Sequence, residues 1–139
     1  MTRINVARVL VVAGFAIGLT SLSATFSHIG DPNYLVQPEF ENGQTHAWYH
    51  ALREAVGNVA AMAAVLFVFF GRPRDRNPAT WWICLIVVVG YYAPYWVGMP
   101  FDPALGAPSL VVEVSHVLQA LAAVTGLLVS RREFYSADA

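Results

Sequence analysis

An all-α integral membrane protein is the fold class this chain predicts: four transmembrane helices in an antiparallel up-down bundle, with both termini cytoplasmic. Three observations predict it. Of 139 residues, 57% are hydrophobic and only 12% charged, with a mean hydropathy of +0.52. Soluble domains carry about a quarter charged and under half apolar residues. Four apolar segments each approach the roughly 20 residues that carry a helix across hydrocarbon. The basic residues sit in alternate connections. The length suits a single domain, residues 1–139.

The first segment, about Val9 to Phe26, follows Arg3 and Arg8. With the small residues "SLSA" at its end it also has the outline of a secretory signal, but the apolar run is long for that role and a retained helix is expected. The second segment runs from about Trp48 to Phe70, the third from about Trp81 to Val97, and the fourth from about Leu110 to Val129. Strand alternation is absent, so helices rather than a barrel are expected. The links "SHIGDPNYLVQPEFENGQTH", "GRPRDRNPAT" and "GMPFDPALGAPS" contain the Pro and Gly that stop helices. Arg72, Arg74 and Arg76 fill the middle link, Arg131 and Arg132 follow the last segment, and the other two links have no basic residue. The positive-inside rule places the arginine clusters in the cytoplasm.

That topology gathers the polar residues in the outer half of the bundle. His46, His50, Arg53, Glu54 and Asn58 open the second helix; Glu113, His116 and Gln119 lie on the fourth; Tyr91, Tyr92, Tyr95 and Trp96 end the third; Ser21, Ser23, Thr25 and His28 end the first. His46, His50, Arg53 and Gly57 share one helical stripe, as do Glu113, His116, Ala120 and Ala123. Charges inside a bilayer cost about 2.5–3.5 kcal/mol each on insertion scales, so they are expected to face inward and pair. Gly57, Ala61 and Ala64 are the small residues expected to admit a partner helix.

Three chemistries fit such a pocket. The Glu113-x-x-His116 spacing is used in carboxylate-bridged metal bundles; with His46, His50 and Glu54 it would offer a mixed nitrogen and oxygen sphere suited to zinc, iron or manganese. Alternatively, His50, Glu54, Glu113 and His116 carry acid/base catalysis, of isomerase or hydrolase type, on a lipophilic molecule. Arg53, Asn58, Tyr91, Tyr95, Trp96 and Gln119 would then bind that substrate. In the third reading the same groups only hold the helices together, with Arg53 paired to Glu54 or Glu113. The His50-x-x-x-Glu54 spacing on a second helix is similar to that of the sterol-isomerase and sigma-2-receptor group of four-helix membrane proteins. That likeness covers these residues alone, and the acid that group carries on its third helix has no counterpart here.

Other features bound the function. The net charge of −1 excludes nucleic acid. The single cysteine, Cys84, rules out an internal disulfide and suits packing. No phosphate-cradling loop or nucleophile elbow is present. Trp81 and Trp82 are expected as cytoplasmic headgroup anchors. Pro94 is expected to kink the third helix and free a carbonyl. The acidic external loop, with Asp31, Glu39 and Glu41, also carries Tyr34, Leu35, Val36 and Phe40 and has the length of a lid. An enzyme acting on a lipophilic molecule is therefore the sharper expectation. A ligand-binding or accessory subunit of a homo-oligomer or larger membrane complex is the alternative. Membrane lipids are partners in either case.

Overall fold

The computed structural model describes residues 1–31, 43–102 and 106–136, apart from the side chains of 43–47 and of Tyr95. The described elements are all helical: α1 (Arg3–Ser27), α2 (Gly43–Phe70), a 3-10 turn (Pro73–Asp75), α3 (Pro78–Tyr92), α4 (Pro94–Gly98) and α5 (Leu110–Tyr135). Three of them, α1, α2 and α5, contain spans long and apolar enough to cross a membrane. The 15 residues of α3 reach about 22 Å at the rise of an α-helix, short of the roughly 30 Å of hydrocarbon.

The third apolar segment is thus not one helix over 81–97 but two, and Pro94 is the reason. Without an N–H it cannot continue the ladder. The Ala93 N–H still reaches the Val89 oxygen at 2.9 Å, whereas the Trp96 N–H turns to the Ala93 oxygen at 3.0 Å. Elsewhere the helices outrun their apolar segments. Hydropathy marks burial in hydrocarbon, and a helix continues past that limit until its caps stop it. At α3, Pro78 occupies the first turn, and Asn77 Oδ1 accepts from the Thr80 N–H at 3.1 Å while Thr80 Oγ1 accepts from the Asn77 N–H at 2.9 Å.

The helices pack in a ring, each of α1, α2, α3 and α5 against two neighbours, with α1 against α5 the most extensive contact. Buried stripes recur at helical spacing: Ala7, Val11 and Phe15 on α1; Ala51, Ala55, Met62, Val65 and Phe69 on α2; Trp81, Cys84, Val88 and Tyr92 on α3; Ala120, Ala123, Leu127 and Phe134 on α5. The outside is as apolar as the inside, with Phe67, Ile86 and Leu121 all exposed, the pattern of helices that are hydrophobic on every face.

Glycine explains why α1 and α5 approach so closely. A Cβ on Gly14 would lie 2.8 Å from the Gln119 carbonyl oxygen and 3.1 Å from the Ala123 nitrogen. One on Gly126 would lie 2.8 Å from Val11 Cγ2 and 2.9 Å from the Ala7 oxygen. Gly14 and Gly18 form the "GFAIG" small-xxx-small motif. Gly57, expected as the close-packing glycine, instead faces open space, and Ala64 is exposed with it.

All three arginine clusters meet at one end. Arg8 Nε donates to the Phe69 carbonyl at 2.8 Å and Arg76 Nη1 donates to the same oxygen at 3.3 Å, closing the C-terminus of α2. The Arg131 guanidinium lies over Trp81, 5.5 Å from the ring centroid. Trp81 itself is not a headgroup anchor. It is only 3% exposed, and its indole N–H donates to the Leu127 carbonyl at 2.9 Å. Trp82 is half-exposed. Cys84 is free and buried.

Candidate functional site

At the end opposite the arginines, a cleft of about 580 Å³ opens between α1, α2, α3 and α5. Its lining comprises Thr20, Ser21, Thr25 and His28 from α1 and the turn after it, Glu54 and Asn58 from α2, Tyr91 and Pro94 from α3 and α4, and Ser115, His116 and Gln119 from α5. Of the residues expected at the site, Glu54, Asn58, Tyr91, His116 and Gln119 share this one wall.

His50, Arg53, Glu113 and Trp96 do not join them. The inward stripe of α2 is Ala51, Ala55 and Met62, so His50 and Arg53 point about 100° or more round the helix. Both are exposed. The His50 ring packs edge-on to Tyr49 with centroids 5.6 Å apart. The Arg53 guanidinium lies 5.9 Å from the Tyr49 centroid and makes no ion pair among the described residues, where the one between two such residues is Arg72 with Asp75. The expected Arg53 pairing with Glu54 or Glu113 is therefore corrected. Glu113 lies outside the cleft lining, where Oε1 accepts from the Trp96 indole N–H at 2.7 Å. The four expected catalytic groups, His50, Glu54, Glu113 and His116, consequently do not converge. Among the described residues no three His, Cys, Asp or Glu side chains gather as metal donors. The His46 and Tyr95 side chains and the loop residues Tyr34, Leu35, Val36, Phe40, Glu39 and Glu41 lie outside the described residues.

His116 shows how the helix break and the cleft are linked. It is buried at 7% exposure, and Nε2 lies 2.7 Å from the Tyr92 carbonyl oxygen. A carbonyl only accepts, so Nε2 carries the proton, and a neutral His116 then presents Nδ1 as an acceptor. The Tyr92 carbonyl, which loses its helical partner where the Trp96 N–H turns to Ala93, is thus satisfied by a side chain from α5. Aromatic rings fix the imidazole on both sides, with Tyr92 at 5.5 Å and Trp96 at 5.0 Å between centroids.

Gln119 forms the floor where α1 meets α5. It is fully buried, and neither Oε1 nor Nε2 has a hydrogen-bond partner among the described residues. The contact with Gly18 is close: a Cβ there would stand 2.9 Å from Oε1 and 3.6 Å from the Tyr91 hydroxyl. Among the described residues, Glu54 is the one carboxylate in the lining. The cleft therefore offers amides, hydroxyls, the imidazoles of His28 and His116, and a single carboxylate. The sequence pattern does not reveal Ser115 and Thr20, since hydroxyls on otherwise apolar helices give no periodic signal.

No protein-family model, no curated protein and no solved structure matches this chain.

Proposed function

We propose that the chain is an integral protein of the cytoplasmic membrane that binds a small amphiphilic molecule in the cleft between Glu54 and His116. Gln119 carries this reading. A buried amide without hydrogen bonds costs about 1–3 kcal/mol by mutational measures, and a polar head group entering the cleft would offset that cost. Glu54, the one carboxylate among the described lining residues, favours a head group that is cationic or rich in donors. The apolar exterior allows such a molecule to arrive from the lipid phase.

Gln119→Leu tests this directly. The unliganded variant should be as stable as the parent or more stable by about 1 kcal/mol, and it should lose the molecule that the parent retains through detergent extraction, read by native mass spectrometry. Retention equal to the parent would show that Gln119 does not hold the molecule and would overturn the reading of this cleft as its site. Proton transfer on the bound molecule is the second reading, favoured because Glu54 and His116 line the same cleft. In the same assay Glu54→Gln should retain the molecule unconverted, and conversion by that variant would exclude it.

The orientation follows from charge. Seven of the eight basic residues, all but Arg53, lie at the end away from the cleft, and such clusters favour the cytoplasmic side. The cleft then faces outward. A cysteine at Asp75 should react only with a permeant reagent and one at Ile29 with an impermeant one, against the silent background of buried Cys84. The opposite pattern would invert the topology.

A further inference from the structure

We infer that the arginine end holds a site for one anionic phospholipid, its phosphate between Arg3 and Arg132. These two residues, with Arg131, Leu128, Val129 and Tyr135, line a depression of about 530 Å³ where the start of α1 meets the end of α5. Among the described residues no acidic side chain lines it. Arg131 is already engaged, lying over Trp81 and over Tyr135 at 5.5 Å and 5.1 Å from the ring centroids. Arg3 and Arg132 make no ion pair among the described residues, so two guanidinium forks are available beside a third held in place. A guanidinium is a planar donor fork that matches phosphate oxygens two at a time, and basic pockets between membrane helices suit anionic head groups.

The surface below the depression selects a lipid over a free anion. Val114, Leu118, Leu121, Thr125, Leu128 and Arg132 follow one another at alternating steps of four and three residues, a single outward stripe of α5. The four apolar members are 49–59% exposed, and Arg132 heads the stripe. From Arg132 to Leu121 is about 16 Å along the helix, roughly half the hydrocarbon thickness. An acyl chain can lie along Leu128 and Leu121 while its phosphate meets the guanidiniums, with Tyr135 at the level of the interface.

The test titrates phosphatidylglycerol into the detergent-solubilised protein and counts one-to-one adducts by native mass spectrometry. Each arginine near an anionic lipid is worth about fivefold in affinity, so Arg3→Gln with Arg132→Gln should weaken binding about 30-fold. Both changes leave the Arg131 stacking in place. The control, Arg72→Gln with Arg74→Gln, removes the same charge from the same end and should weaken binding less than about threefold. If the first double variant is too unstable to purify, each single change should show its own loss of about fivefold. Equal losses in the two double variants would reduce the effect to diffuse surface attraction and overturn the site. So would phosphatidylcholine binding as tightly as phosphatidylglycerol, or displacement of the lipid by millimolar inorganic phosphate.

Discussion

Gly14→Leu should separate α1 from α5 and cause the largest loss of bundle stability of any single substitution at a helix contact. Even the first added carbon would stand 2.8 Å from the Gln119 carbonyl oxygen and 3.1 Å from the Ala123 nitrogen. These are backbone atoms, which cannot rotate aside as a side chain can. Overpacking a close contact costs about 1–3 kcal/mol for small insertions. Gly14→Ala should fall in that range, and leucine beyond it. The counterpart on α2 has the opposite expectation, because nothing lies within 4 Å of a Cβ on Gly57. Gly57→Ala should be neutral, or stabilising by up to about 1 kcal/mol through helix propensity. Denaturant unfolding in detergent, followed by circular dichroism, checks both. A Gly14→Leu protein that unfolds with the parent would show that the α1–α5 contact does not hold the bundle.

The second large effect is expected at His116. His116→Phe keeps an aromatic ring between Tyr92 and Trp96 but removes the N–H that reaches the Tyr92 carbonyl at 2.7 Å. A buried acceptor left unsatisfied costs about 1–3 kcal/mol, and the break at Ala93 means the helix itself supplies no substitute. Restoring the helix should therefore rescue the loss. With Pro94→Ala, α3 can continue and the Trp96 N–H can return to the Tyr92 oxygen, four residues back. A double-mutant cycle should show His116→Phe costing markedly less on the Pro94→Ala background, a coupling above about 0.5 kcal/mol. Additive effects would mean that the imidazole and the proline act independently.

Both results depend on positions whose importance was only partly visible in the chain. "GFAIG" is a legible small-residue motif, yet "GNVAAMAA" on α2 offers an equally good one, and the choice between them lies in which face turns inward. The same ambiguity governed the charged residues. His46, His50 and Arg53 align on a stripe, and a rule that charges avoid lipid sends that stripe inward. In the fold, Ala51, Ala55 and Met62 take the interior, while Arg53 reaches the ring of Tyr49. A position near the end of a membrane helix lets a long side chain extend toward water, so the penalty that motivates burial does not apply there.

Composition and hydropathy by themselves determined that this is a helical chain with segments long and apolar enough to span a membrane, because hydrocarbon admits only helices or closed barrels and the strand alternation of a barrel is absent. They also determined that the arginines other than Arg53 and the polar groups occupy separate links and helix ends, since both are read from position along the chain. Pro94 marked the helix break locally, as the missing N–H is a property of one residue. Only the tertiary structure decided which polar groups share a cleft, because adjacent apolar faces on a helix that is hydrophobic all round are indistinguishable by pattern. It brought Gln119 against Gly18, His116 to the Tyr92 carbonyl and Trp81 to the Leu127 carbonyl, and it left His50 and Arg53 outside. Those assignments rest on packing between helices distant in sequence, where a glycine that admits a backbone at van der Waals distance outweighs the local preference of any side chain.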